Sequence, residues 1–264
     1  MRQATLVAFY GPKSAALAAL LGECQRMLVE SLGCSFKPYD VAQIHATIIG
    51  LEQMPEVPNH NLNLARYRDT LAQMDLEGFL ASLRTNACFP LCVQIGGFSD
   101  RDYPFTSRGC RPFARSFSLQ GTRAVLMGWP VRGRCLTSAG TTPTYSAIQK
   151  SRLYPASLED VRRSALKFNI LHQYHKEVTD VDNDFYLRLG VCEAGHIDPR
   201  AGRAIEIAIR RYLSEIDPVF IEVTAADLHV VSYVDESLAC ASTRSRRVGL
   251  VWITRDFTSA LYQE

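Results

Sequence analysis

The sequence has no long hydrophobic run, no Cys-x-x-Cys pair and no pattern of a secretory leader. No window reaches the roughly 18 apolar residues that a membrane helix needs. Residues 1–7 lack the apolar core and cleavage site of a signal peptide. The eight cysteines are scattered along the chain, so neither a disulfide framework nor a structural zinc site is expected. These absences favour a cytoplasmic protein over the membrane and disulfide-rich classes.

Composition is that of an ordinary globular protein, but the charge is unevenly placed. The 264 residues are 47% hydrophobic and 21% charged, with a net charge of +2. Between residues 101 and 152 there are nine arginines and lysines and one acid, Asp102. Such a basic stretch in a nearly neutral chain indicates an anionic ligand. The alternative is a solvated basic loop, and the sequence does not decide between them.

Apolar periodicity and turn residues predict a mixture of helices and strands. Helices are predicted over 13–32, 62–83, 157–172 and 201–216. Strands are predicted over 5–10, 44–49, 91–95, 185–192, 219–223, 228–234 and 248–254, with a hairpin over 117–127. Residues 131–155, rich in Gly, Ser, Thr and Pro, are predicted to form a linker or mobile loop.

Two parts of this pattern resemble each other, since each has a strand, a helix and a later strand with a histidine near its start. The first unit spans about 1–99, a basic insertion spans about 100–155, and the second unit spans about 156–264. We interpret the chain as one domain, 1–264, built from two related units.

Both histidines are predicted to lie opposite an apolar strand face. Side chains alternate along a strand. On the first strand Ile44, Ala46 and Ile48 form the core face, which leaves His45, Thr47 and Ile49 on the other face. On the second strand the core face holds Leu228, Val230, Ser232 and Val234, and the other face holds His229, Val231 and Tyr233. If the units are related by a pseudo-twofold axis, both histidines line one cleft.

The segments around these histidines resemble a known motif. Gln43-Ile44-His45-Ala46-Thr47-Ile48 is similar to the His-x-Thr/Ser motif of the two-histidine (2H) phosphoesterases, which include bacterial RNA 2′,5′-ligase-like enzymes and cyclic phosphodiesterases. Leu228-His229-Val230-Val231 resembles a second copy, with Val231 where the family has Thr or Ser. The resemblance implies an α+β, bilobed fold with two antiparallel sheets around a central cleft and helices outside.

The resemblance also implies a chemistry. His45 and His229 would act as the acid–base pair of a metal-independent phosphodiesterase, and the hydroxyl of Thr47 would bind the phosphate. The implied substrate is a small nucleotide or RNA end with a 2′,3′-cyclic phosphate or a related phosphodiester. No cofactor, membrane or obligate protein partner is expected.

Further residues are assigned from their position alone. Tyr10 and Tyr233 are candidates to stack on a base, with a core or rim role as the alternative. Arg123 opens a strand and is the candidate phosphate contact of the basic insertion.

Two other interpretations remain open. A protein of the same fold could bind nucleotide or RNA without turnover, as Val231 and the basic insertion would allow. Alternatively, His172 and His175 could share a helix face and bind a metal with His196 or Asp184. For that pair, a solvated helix end is the simpler expectation.

Overall fold

The computed structural model describes residues 2–103, 105–132, 157–193, 197–249 and 255–263. Within these ranges the protein is α+β, as predicted, with one large antiparallel sheet. None of the helices in the described ranges is long and apolar enough to cross a membrane.

Ten strands form the sheet, in the order β10-β9-β1-β3-β7-β6-β4-β8, with β2 beside β7 and β5 beside β6. The strands are β1 Gln3–Ala8, β2 Phe36–Pro38, β3 Ala46–Gly50, β4 Leu91–Ile95, β5 Phe117–Gln120, β6 Arg123–Arg132, β7 Phe185–Cys192, β8 Val219–Val223, β9 His229–Tyr233 and β10 Arg244–Arg247. The β3–β7 contact joins the two halves of the sheet, and its one paired position is Ala46 with Leu187.

Seven α-helices accompany the sheet within the described ranges. They are α1 Ala15–Leu32, α2 Leu62–Arg68, α3 Leu76–Leu83, α4 Pro112–Arg115, α5 Ser157–Ser164, α6 Pro199–Glu215 and α7 Arg255–Ala260. Helix α1 begins at an N-cap, Ser14, whose side chain accepts from the backbone N–H of Leu17, and it ends at Gly33. Helix α6 is capped in the same way by Asp198, which accepts from two backbone N–H groups.

The main core lies between the helices and one face of the sheet. Leu17, Leu21 and Leu28 of α1 and Ile209 and Leu213 of α6 are buried in one cluster with alternate residues of the strands. Val7 of β1 belongs to a separate cluster on the opposite face. The long helices therefore cover one face, and the opposite face of the sheet carries the cleft described below.

The predicted helix over 62–83 is wrong, because the chain forms two shorter helices there. Helix α2 ends at Asp69, which adopts a left-handed conformation, and α3 starts from a new N-cap, Asp75. Between the two helices the backbone N–H of Met74 donates to the carbonyl of Asn59. Leu71, in the same segment, is exposed. Apolar spacing continued through the break, and this continuity misled the sequence interpretation.

The helix predicted to run to residue 172 is also wrong beyond its first turns. Helix α5 ends at Ser164, a 3₁₀ turn covers Ala165–Phe168, and Asn169 adopts a left-handed conformation that stops it. His172 and His175 follow in a turn, so they share no helix face.

The alternation predicted for the two histidine strands is largely confirmed. Ile44, Ala46 and Ile48 are fully buried in the main core, as are Leu228 and Val230. Ile49 and Val234 are the exceptions, and Val234 lies beyond the end of β9 and is exposed. A shift in the β1–β3 register places Ile49 opposite Leu6, so it packs into the core instead of facing the cleft.

The predicted hairpin is confirmed as the β5–β6 pair. The loop expected from residue 131 starts later, because β6 continues to Arg132; residues 133–156 lie outside the described residues. The strand predicted over 248–254 is wrong at its start, where Val248 and Gly249 form a turn after β10, and residues 250–254 also lie outside the described residues.

Candidate functional site

A cavity of about 310 Å³ opens on the face of the sheet opposite α1 and α6, at the junction of its two halves. Its lining includes Thr5, His45, Thr47, Gly50, Glu52, Asn63, Arg66, Arg108, Arg123, Arg162, His172, Tyr174, Asp182, Asp184, Tyr186, Arg188, Tyr233, Glu236 and Leu238. Its size is at the lower end of the range for small-molecule sites. Of the six residues predicted to form the site, His45, Thr47, Arg123 and Tyr233 line this cavity.

A buried arginine shapes the junction at which the cavity forms. Arg162 donates hydrogen bonds to the carbonyls of Thr47 and Ile48 on β3 and to the carbonyls of Asp182 and Asp184 just before β7. Its guanidinium therefore takes the place of sheet hydrogen bonds between β3 and β7. The strands diverge there, and the cleft opens between them.

His45 immediately precedes β3 and has a defined tautomer. Its Nδ1 lies 2.8 Å from the carbonyl oxygen of Gln43. A carbonyl only accepts, so Nδ1 carries the proton and Nε2 keeps a free lone pair. Burial, with smaller contributions from the nearby Lys13 and Arg188, lowers the pKa of His45 to about 4, and the Gln43 carbonyl opposes this shift. At neutral pH His45 is therefore a neutral acceptor that can act as a base.

Two side chains of β7 face the same cleft as His45 and Thr47. Ala46 and Leu187 pair directly and both belong to the core. Their sequence neighbours therefore point to the opposite face, and antiparallel register sets His45 beside Arg188 and Thr47 beside Tyr186. All four line the cavity. The side chain that this register brings to His45 is an arginine.

Arg188 forms no ion pair within the described part of the chain, although it is only partly exposed. Its Nε is buried without a hydrogen-bond partner, and its guanidinium lies 5.3 Å from the ring centroid of Tyr39. A buried donor without a partner costs about 1–3 kcal/mol. An anionic group in the cavity would supply the missing acceptor.

His229 lies elsewhere on the same face. Strands β3 and β9 flank β1, so two strand spacings, roughly 10 Å, separate their backbones. The ring of Tyr10 packs against both histidines, with its centroid 6.2 Å from that of His45 and 6.1 Å from that of His229. His229 does not belong to the lining of the cavity.

Both ring nitrogens of His229 already have partners. Arg247 donates from Nε to its Nε2 at 3.3 Å, so Nε2 is the acceptor and Nδ1 carries the proton. Nδ1 in turn lies 2.6 Å from the hydroxyl oxygen of Ser245. Burial and the charge of Arg247 lower the pKa of His229. Burial thus favours the neutral form of both histidines.

The two candidate tyrosines have polar partners inside the protein. Tyr10 is buried in an apolar cluster with Val7, Val231 and Leu238, and its hydroxyl donates to the Leu238 carbonyl at 3.0 Å. Burial raises its pKa to about 12. Tyr233 belongs to the same cluster and donates its hydroxyl hydrogen bond to Glu52.

The basic stretch contributes two arginines to the cavity. Arg123, at the start of β6, pairs with Glu236 at 3.1 Å across the opening. Arg108 lies 4.2 Å from the ring centroid of Tyr174 and 3.7 Å from Asp184. Both are partly exposed, so a ligand can compete for their charge.

His172 and His175 are not a solvated helix end, and this expectation is wrong. Both are buried, and each places Nε2 at 2.9 Å from a buried carboxylate, Asp182 and Glu159 respectively. Burial and the nearby Arg162 lower the pKa of His172 to about 3. Among the described residues no group of three His, Cys, Asp or Glu side chains is arranged to hold a metal. His196 lies outside the described residues.

Comparisons of the chain with protein-family models, with curated proteins and with solved structures found no match. Membership of the 2H superfamily therefore stays a prediction, and function has to be inferred from the site itself.

Sequence reasoning missed Tyr186, Arg188 and Glu52. A signal was present for Arg188, which is the only charged residue in the apolar strand Phe185–Cys192. Its relation to His45 depends on β3–β7 pairing across about 140 residues, and the sequence pattern does not contain that information.

Proposed function

We propose that the protein binds the phosphate of a small nucleotide or RNA end in the cavity, on a bilobed fold of the 2H type. The proposal rests mainly on one observation, the position of Arg188. Its partly buried, unpaired guanidinium faces the same cleft as the free Nε2 of His45 and the hydroxyl of Thr47. A phosphate ester could engage all three groups, because its nonbridging oxygens would accept from Arg188 and Thr47 while a ligand hydroxyl donates to Nε2 of His45.

In this proposal the two lobes are the two halves of the sheet, β10-β9-β1-β3 and β7-β6-β4-β8. The single paired position between β3 and β7, and the insertion of Arg162 there, support a division at the cleft.

Binding without hydrolysis fits the observed geometry better than two-histidine catalysis. His229 is not among the residues that line the cavity, both of its ring nitrogens are engaged, and Val231 lies in an apolar cluster. Phosphodiester hydrolysis is the second candidate function. Its support is His45, a neutral imidazole next to Thr47 that is able to serve as a general base.

The experiment is a titration under chelator. Calorimetry in EDTA should detect saturable binding of at least one ligand among 2′,3′-cyclic nucleotides, cyclic dinucleotides and cyclic-phosphate-ended RNA. His45→Asn and Thr47→Val should weaken it. The proposal would be refuted if none of these ligands bound, or if both variants bound with the affinity of the wild-type protein.

Product analysis of the same samples separates the two candidate functions. Chelator-resistant turnover that is lost in His45→Asn and in His229→Ala would favour the hydrolase. Binding with unchanged ligand would favour the non-catalytic function.

A further inference from the structure

Glu52 is a partly buried carboxylate that lines the cavity. Tyr233 donates a hydrogen bond to Glu52 Oε1 at 2.8 Å, and within the described ranges no arginine, lysine or histidine pairs with the carboxylate. The other acids of the cavity differ from it, since Asp182, Asp184 and Glu236 all pair with arginines. Burial raises the pKa of Glu52.

The fold makes specific room for this carboxylate. Gly50 lies opposite Thr5 on β1, on the face of the sheet that carries the cavity. A Cβ at position 50 would lie 2.1 Å from Glu52 Oε2. The side chain of Glu52 is thus folded over Gly50, and any larger residue there would displace it. Withdrawing a carboxylate from water without a cationic partner is costly, so donor groups of a ligand at this position would offset the cost.

Glu52 and the phosphate-binding groups lie apart in the same cavity. Thr47 precedes Gly50 by three residues on β3, which corresponds to roughly 10 Å along a strand. This is comparable to the length of a mononucleotide from its phosphate to the far edge of its base. A ligand that fills the cavity would therefore carry an anionic group at one end and hydrogen-bond donors at the other.

We propose that Glu52 determines base specificity by accepting hydrogen bonds from a guanine, so that the ligand is a guanine nucleotide. This inference rests on the proposed function. The Watson–Crick edge of guanine presents two adjacent donors, N1–H and the N2 amino group, which match the two oxygens of a carboxylate. Adenine and cytosine each present one amino donor beside an acceptor, and that acceptor would face the carboxylate unfavourably.

The test compares the 2′,3′-cyclic monophosphates of guanosine, adenosine, cytidine and uridine by calorimetry. The wild-type protein should bind the guanosine form at least about tenfold more tightly than the others. Glu52→Gln should weaken guanosine binding by roughly 10- to 150-fold, the effect of one or more hydrogen bonds to a charged group, while adenosine binding should change little. Glu56→Gln, an exposed glutamate four residues away, is the matched control and should leave all four affinities unchanged.

The outcomes separate this inference from the function on which it rests. Equal affinity of the wild-type protein for all four nucleotides, or an unchanged guanosine preference in Glu52→Gln, would overturn the role of Glu52 alone. Absence of binding by any nucleotide would overturn the proposed function as well. The wild-type preference is measured without a variant, so the inference is tested even if Glu52→Gln fails to fold.

Discussion

Replacing Arg188 with methionine should separate ligand binding from stability. Methionine keeps the length of the apolar stem but removes every donor. The folded protein loses the contact with the Tyr39 ring, worth about 0.5–1 kcal/mol. It also loses the buried, unpartnered Nε, whose burial costs about 1–3 kcal/mol. The free energy of unfolding should therefore stay constant or rise by about 1 kcal/mol.

The same substitution should weaken nucleotide binding strongly. A hydrogen bond to a charged group contributes about 1.5–3 kcal/mol, so affinity should fall by roughly 10- to 150-fold. Urea denaturation gives the stability and calorimetry gives the affinity. The matched control is Arg26→Met, which removes an equal charge from the exposed surface of α1 and should leave the affinity unchanged. Because the charge of Arg188 contributes to the low pKa of His45, an NMR titration of the variant should show that pKa rising.

One result would refute this reasoning. If Arg188→Met bound the nucleotide as tightly as the wild-type protein and was less stable by more than about 2 kcal/mol, Arg188 would be a structural residue. The main observation in favour of phosphate binding in the cavity would then no longer hold.

Three further predictions follow from the site. His45→Asn should weaken nucleotide binding by more than tenfold, whereas His229→Asn should change it little, and equal losses in calorimetry would show that both histidines reach the ligand. Val231→Thr should lower the free energy of unfolding by about 1–3 kcal/mol in urea, because it buries a hydroxyl in an apolar cluster, and a gain in affinity would contradict the position of this side chain. Burial holds the pKa of His45 at about 4 and that of His172 at about 3, below the usual 6.5, so the unfolded chain takes up protons first as pH falls. Stability should then decrease below pH 6.5 by up to about 1.4 kcal/mol per pH unit for each histidine, and a urea midpoint that stays constant from pH 7 to pH 5 would contradict this.

Local features of the fold were predictable because local physics determines them. The strand Phe185–Cys192 and the helix that ends at Gly33 match their predicted bounds closely, since apolar spacing and a turn residue mark each one. The faces of Val231 and Tyr233 also follow from strand alternation. Alternation failed at Ile49, where a change of register depends on the partner strand and leaves no mark in the sequence.

For a similar reason, only the part of the site that lies around β3 was predictable. His45 and Thr47 are two residues apart on one strand, so their shared face follows from period-two alternation. The groups opposite them come from β7, which is adjacent in space and distant in sequence. The sequence motif predicted His229 as the second residue of the site instead. A short motif of this kind carries no information about which strand lies next to it in the sheet.

The strand order explains why resemblance and geometry point to different second residues. Strand β9 pairs with β1, so His229 lies in the same half of the sheet as His45, and Tyr10 packs against both rings. The strand that meets β3 across the cleft is β7, and its register brings Arg188 to the position facing His45. An arginine there remains protonated at neutral pH, so it can hold a phosphate but cannot exchange a proton with it. A cleft with a neutral histidine on one strand and a permanent cation on the other is suited to retaining a phosphate ester, and any hydrolysis in it would need a proton donor other than Arg188.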